Sequence, residues 1–191
     1  MAQRKINTYP QINMKKLILV FFLITQTLLS QAQKYVAESS AVSFFSHGAI
    51  EDIAAKNSKS MSIFNMATDD IVFAIPIKDF EFEKSLMKEH FNEKYLETEK
   101  FPKANFQGKI SGFQNTISGE QQAKGVGKLT IHGVTKEIDM PGTVEVVNGK
   151  LVMKSKFTVK LKDYNIAIPQ LLWQNIAEEV EVKIEFTYKA Q

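Results

Sequence analysis

Phe101-Pro102-Lys103-Ala104-Asn105-Phe106 and, further along, Leu129-Thr130-Ile131-His132-Gly133-Val134-Thr135-Lys136-Glu137-Ile138 order the rest of the chain around themselves. The second stretch reads as a hairpin. Short runs of alternating apolar residues flank a turn containing Gly133, and glycine reaches positive φ without steric cost. The first opens with a Phe-Pro that cannot continue a helix, because proline biases the residue before it toward extended geometry. Ala104, Phe106, Gly108 and Ile110 then alternate with Asn105, Gln107, Lys109 and Ser111, giving one apolar face and one wet face. Both stretches read as barrel wall.

The same period of two recurs on either side. Upstream it predicts strands over Tyr35–Phe45 and Ser60–Met66, separated by a polar turn at Asn57-Ser58-Lys59-Ser60. Another follows, on which Ile71, Phe73, Ile75 and Ile77 alternate with Val72, Ala74 and Pro76. Pro76 cannot donate to a ladder and belongs at an edge or a strand end. Downstream, Asn115–Lys124 reads as a polar hairpin loop. Val144–Val147 and Leu151–Leu161 flank Asn148-Gly149, a favoured type I′ pair. Val180, Val182, Ile184, Phe186 and Tyr188 line one face of a last strand. The single good helix is Glu83–Leu96, where Phe82, Leu86, Phe91 and Tyr95 approximate an apolar stripe. About eight strands suffice to close a small barrel. The fold class expected is therefore all-β: an antiparallel barrel with one flanking or plugging helix.

The 191 residues, 44% hydrophobic and 24% charged, suit one globular domain with a sizeable core. The formal charge of +3 belongs to the N-terminal stretch: Arg4, Lys5, Lys15 and Lys16 precede residue 33 and no acid does, which leaves −1 for Gln33–Gln191. A near-neutral remainder carries no footprint for nucleic acid. Lys15-Lys16, the apolar run Leu17–Ile24 and Ser30-Gln31-Ala32 match the three regions of a secretory signal peptide, so 1–32 is expected to be cleaved after Ala32. Met14, directly before the two lysines, competes with Met1 as the start. The apolar run is far short of the ~20 residues a spanning helix needs. With no cysteine, neither a lipid-modified cysteine anchor nor a disulfide can form. The expected location is outside the cytoplasm, periplasmic or extracellular, and soluble.

Chemistry is sparse. His47, His90 and His132 fall in different elements, outside the spacing of recognised metal motifs. Gly125-x-Gly127 lacks the third glycine of a nucleotide loop, and neighbouring carboxylates such as Asp69-Asp70 would point to opposite faces of a strand. No catalytic residue, metal or cofactor is therefore assigned. His132 has two readings, a turn whose imidazole satisfies nearby backbone and a ligand contact, with turn structure favoured. Lys136 reads as a solvated strand lysine rather than the partner of an anionic headgroup. Tyr164, Ile166, Ile168, Pro169, Leu171, Leu172, Trp173 and Ile176 form an apolar segment without regular period. It either folds into the core or lines the mouth of a cavity.

The helix, the Phe-Pro-x-Ala-x-Phe strand and Leu-Thr-Ile-His-Gly-Val-Thr-Lys together resemble the YceI-like family of secreted bacterial proteins, over roughly Tyr35 to Lys189. The resemblance implies a lipocalin-like barrel that binds polyisoprenoid chains or related lipids. A hollow barrel of this kind would be lined from β-strand faces by Phe44, Phe73, Ile75, Phe106, Leu129, Ile131, Met153, Phe157 and Phe186. Leu86 and Phe91 would contribute from the helix, and Leu172 and Trp173 from the loop. The expected function is binding a long apolar ligand (a polyisoprenoid, an isoprenoid quinone or a fatty-acyl lipid) in a continuous tunnel, without catalysis. Transient membrane contact and a homodimer are the further partners considered. The alternative is a barrel filled by its own Phe and Met residues, acting as a structural or partner-binding module.

Overall fold

Among the described residues, alternating sequence becomes ten strands: β1 (Lys34–Ser46), β2 (Ile53–Asn57), β3 (Met61–Asn65), β4 (Asp70–Pro76), β5 (Glu81–Phe82), β6 (Lys103–Ser111), β7 (Gln121–Ile131), β8 (Val134–Val147), β9 (Lys150–Lys160) and β10 (Glu179–Ala190). The described residues also hold a short helix, α1 (Ser85–His90), which continues into a π turn at Phe91–Tyr95. The computed structural model describes residues 34–48, 51–168 and 177–191. The leader-like 1–32 and most of the apolar segment, 169–176, lie outside the described residues.

Every pairing is antiparallel, and β10 meets β1, so eight strands close a barrel in the order β1-β3-β4-β6-β7-β8-β9-β10. The remaining two are continuations of wall strands. Val36 faces Ile63 of β3 and Val42 faces Asn57 of β2, six residues on along both strands, so β2 and β3 share one register against β1. They are one strand interrupted at 58–60. In the same way β4 stops at Pro76, which has no N–H for the ladder, and β5 resumes pairing at Ala55↔Phe82.

The interruption is the polar break expected from Asn57-Ser58-Lys59-Ser60, with Ser58 and Lys59 exposed, but its two ends are buried. Asn57 is 2% exposed. Its Nδ2 donates to the Pro76 carbonyl at 2.7 Å, and its Oδ1 accepts from the Lys59 N–H at 2.8 Å and the Ser60 hydroxyl at 3.1 Å. One amide thus fastens the β2–β3 break to the β4–β5 break. Two further boundaries differ from expectation: the loop before β7 ends sooner, at Gln121, and the helix starts at Ser85. Both tight hairpins are two-residue turns with positive φ throughout, His132-Gly133 (50° and 74°) and Asn148-Gly149 (51° and 78°), as type I′ geometry requires.

One half of the interior is solid. Phe73 stacks on Phe106 with centroids 5.1 Å apart and meets Phe186 at 5.8 Å, and Phe186 in turn meets Tyr188 at 5.9 Å. Glycines make room for this packing. A Cβ on Gly108 would lie 2.7 Å from Phe106 Cζ and 2.3 Å from the Val126 carbonyl oxygen. Phe106 therefore lies across wall positions that must have no side chain. The expected tunnel is interrupted here, because these rings meet one another across the interior.

Candidate functional site

The other half of the barrel, next to α1, holds a cavity of about 310 Å³. Its belt is one inward position from each of six strands: Val42, Ile75, Ala104, Ile131, Val159 and Val182. Ile75 and Ala104 are register partners across β4 and β6, and alanine at that point leaves space that a larger residue would take. Four phenylalanines form an aromatic wall. Phe44 of β1 stacks on Phe91 at 5.3 Å and meets Phe80 at 5.3 Å and Phe82 at 5.8 Å, while Phe91 contacts Phe82 at 5.0 Å. Phe80 immediately precedes β5 and Phe82 is its last residue, so the strand continuation past Pro76 is what carries them to the cavity.

The helix contributes Met87, His90, Phe91 and Tyr95, a stripe at three- and four-residue spacing. Among the described residues, the polar lining besides Tyr95 comes from Ser46, Glu51 and His90. Glu51 is exposed and paired to Lys84, whose ammonium is held above its ordinary value first by that hydrogen bond and then by the charge. Burial pushes the Tyr95 phenol above its ordinary value, so at neutral pH it offers a neutral hydroxyl. A space walled this way can take apolar carbon and leave a polar end near Glu51 and His90. Among the described residues no three His, Asp or Glu side chains converge as metal ligands. No described helix is long and apolar enough to cross a membrane.

Of the expected lining residues, Phe44, Ile75, Phe91 and Ile131 border this cavity. Phe73, Phe106, Met153 and Phe186 face inward but surround a second void of only about 50 Å³ in the filled half. Leu129 is buried and Phe157 half-buried against the same core, and both border neither void. Leu86 is corrected outright. It is 59% exposed, because a residue one step from Met87 is turned about 100° around the helix. Leu172 and Trp173 lie outside the described residues. Phe80, Ile77, Met87 and Leu96 line the cavity without having been expected. The Met87–Phe91 spacing of four was the available signal for the helix; for Phe80, after a strand end, there was none.

His132 is neither exposed nor aimed into the cavity. Its Nδ1–H donates to the Tyr164 carbonyl at 3.2 Å, its Nε2 lies 3.0 Å from Glu97 Oε2, and its ring meets Phe101 edge-on at 4.5 Å. The ring thus bridges a backbone carbonyl and a carboxylate from two other segments of the chain. Glu97 is held below the usual carboxylate range, first by Lys100 and then by His132. The turn thereby ties together three segments whose neighbours Ile131, Leu96, Leu161 and Ile166 line the cavity. Lys136 is exposed on β8.

Residues 34–188 match the family model of the YceI-like domain. Among solved structures, the chain is similar to a polyisoprenoid binding domain from Saccharophagus degradans implicated in plant cell wall breakdown (TM-score 0.71, 14% identity, 82% of this chain and 98% of that one). It is also similar to BcnA from Burkholderia cenocepacia (0.66, 18%, 78% and 95%) and to a YceI protein from Campylobacter jejuni (0.54, 19%, 67% and 77%). At these identities the likeness is one of fold. No curated protein matches the chain.

Proposed function

The chain belongs to the YceI-like domain family, and from that membership we propose that it is a binding protein that holds the apolar chain of a lipid or isoprenoid in the barrel, with no catalytic step. The observation that carries this reading is the cavity itself, about 310 Å³ walled almost wholly by aliphatic and aromatic side chains. That volume lies at the lower end of the range for small-molecule sites, roughly 300–1,000 Å³. The neighbour from Saccharophagus degradans is described as a polyisoprenoid binding domain, which favours the same ligand class. Roughly ten buried methylenes at ~0.8 kcal/mol each contribute about 8 kcal/mol before association costs, enough for useful affinity without strong polar contacts. The filled-barrel alternative describes the half around Phe73 and Phe106, not the half beside α1.

Organic extraction and mass spectrometry of protein purified from its producing cells should release an apolar chain. Farnesol should displace a fluorescent apolar dye from the purified protein. Ala104→Phe, which plants a ring in the belt, should abolish dye uptake while preserving the wild-type circular dichroism. A protein that yields no extractable chain and takes up neither dye nor farnesol overturns the proposal. The proposal includes export, on the strength of Lys15–Ala32 alone. N-terminal sequencing of the protein recovered from those cells should start at Gln33, and an intact leader on all of the protein would refute that part.

A further inference from the structure

We infer that the cavity takes a short apolar tail, about ten to twelve carbons, and that Phe73 and Phe106 are the residues that set this limit; the inference rests on the apolar-ligand reading above. A cavity of about 150 Å³ accommodates the six carbons of benzene, so about 310 Å³ corresponds to roughly twice as many. The space cannot extend down the barrel axis. Ile75 and Ala104 line the cavity, and the next inward positions on the same strands, about 6.6 Å deeper, are Phe73 and Phe106. These two rings are register partners stacked at 5.1 Å, and Phe186 closes against Phe73 from the opposite wall at 5.8 Å. On their far side lies the 50 Å³ void, which Phe73, Phe106 and Phe186 themselves help to line. The aromatic layer is thus a partition between two apolar spaces. Its lateral fit is enforced by Gly108 and Gly125, over which the Phe106 ring lies. Among the described residues, the end of the cavity away from the partition carries the polar side chains Glu51 and His90, past which further carbons would extend.

The test is a binding series with straight-chain alcohols from roughly eight to sixteen carbons, read by displacement of a fluorescent dye. For wild type, Kd should tighten about fourfold per added methylene up to about twelve carbons and change less than about twofold per methylene beyond. Phe106→Ala, which joins the two spaces, should move the break to chains longer by about two methylenes or more. Ala104→Leu, which narrows the belt and leaves the partition intact, should shorten it by a similar amount and serves if Phe106→Ala does not fold. Wild-type affinity that keeps tightening through sixteen carbons, or a break that neither folded variant moves, overturns the length limit and leaves the apolar-ligand proposal standing. Failure of every chain to bind overturns that proposal and the inference with it.

Discussion

Asn57 shows how much can hang on one side chain. It sits in a run of four polar residues, yet its amide is buried and makes three hydrogen bonds that hold two strand breaks together. Asn57→Ala should cost about 1–3 kcal/mol, because the part-buried Pro76 carbonyl and the buried Ser60 hydroxyl lose their partner; urea denaturation reads this as a lower midpoint at unchanged slope. Gly108→Ala should cost about 1–3 kcal/mol by overpacking, since its methyl would press on the Val126 carbonyl 2.3 Å away. Tyr188 gives a pH signature. It is fully buried, and desolvation pushes its phenol far above the ordinary value, with the 2.7 Å hydrogen bond to Ser62 partly opposing. The folded state keeps a proton that the unfolded chain releases near pH 10, so its stabilising share is present below that pH and is lost as pH rises. Unfolding free energy should fall steadily above about pH 10, and Tyr188→Phe should fall less steeply in the same titration.

At the scale of the element, α1 distinguishes a cavity face from a solvent face. Met87 borders the cavity and Leu86 stands outside it. Met87→Lys should abolish dye uptake by putting an ammonium against Phe91 and the belt. Leu86→Lys should leave uptake unchanged and stability within about 0.5 kcal/mol, as surface substitutions do. A Leu86→Lys variant that lost binding would show the stripe to be misplaced. The His132 turn is the second element with a reach beyond itself, since it holds the 3-10 turn Leu161–Tyr164 through the Tyr164 carbonyl. His132→Ala should speed hydrogen exchange at Asn165 and Ile166, whose amides close that turn, while the β8–β9 hairpin keeps its protection.

On the scale of the whole molecule, β1 and β10 close the barrel across almost the full length of the domain. Non-local pairing of this kind makes folding slow, in milliseconds to seconds, and unfolding cooperative. The half-filled interior then gives a thermodynamic signature. The filled half supplies the core without a ligand, so the protein should fold empty. A ligand at about a hundred times its Kd should add about 2.7 kcal/mol and raise Tm by roughly 5–10 °C for a domain of this size. Calorimetry with and without dodecanol checks this, and a Tm unmoved by saturating ligand would contradict binding to the folded state.

What the chain's own order of residues determined was everything that depends on near neighbours. The period of two made strands, Asn148-Gly149 and His132-Gly133 made type I′ turns because glycine follows a residue tolerant of positive φ, and the missing N–H of Pro76 ended β4. Only the tertiary structure decided which inward residues enclose space. Phe44 and Phe106 look alike in sequence, each apolar on an alternating face. Phe106 meets Phe73 across the ladder, above glycines that let its ring lie flat, whereas Phe44 meets Phe80, Phe82 and Phe91 and lines with them the same cavity as the small Ala104. Whether a side chain fills or borders a void depends on the volume facing it across the barrel, and that volume comes from residues far away in the chain.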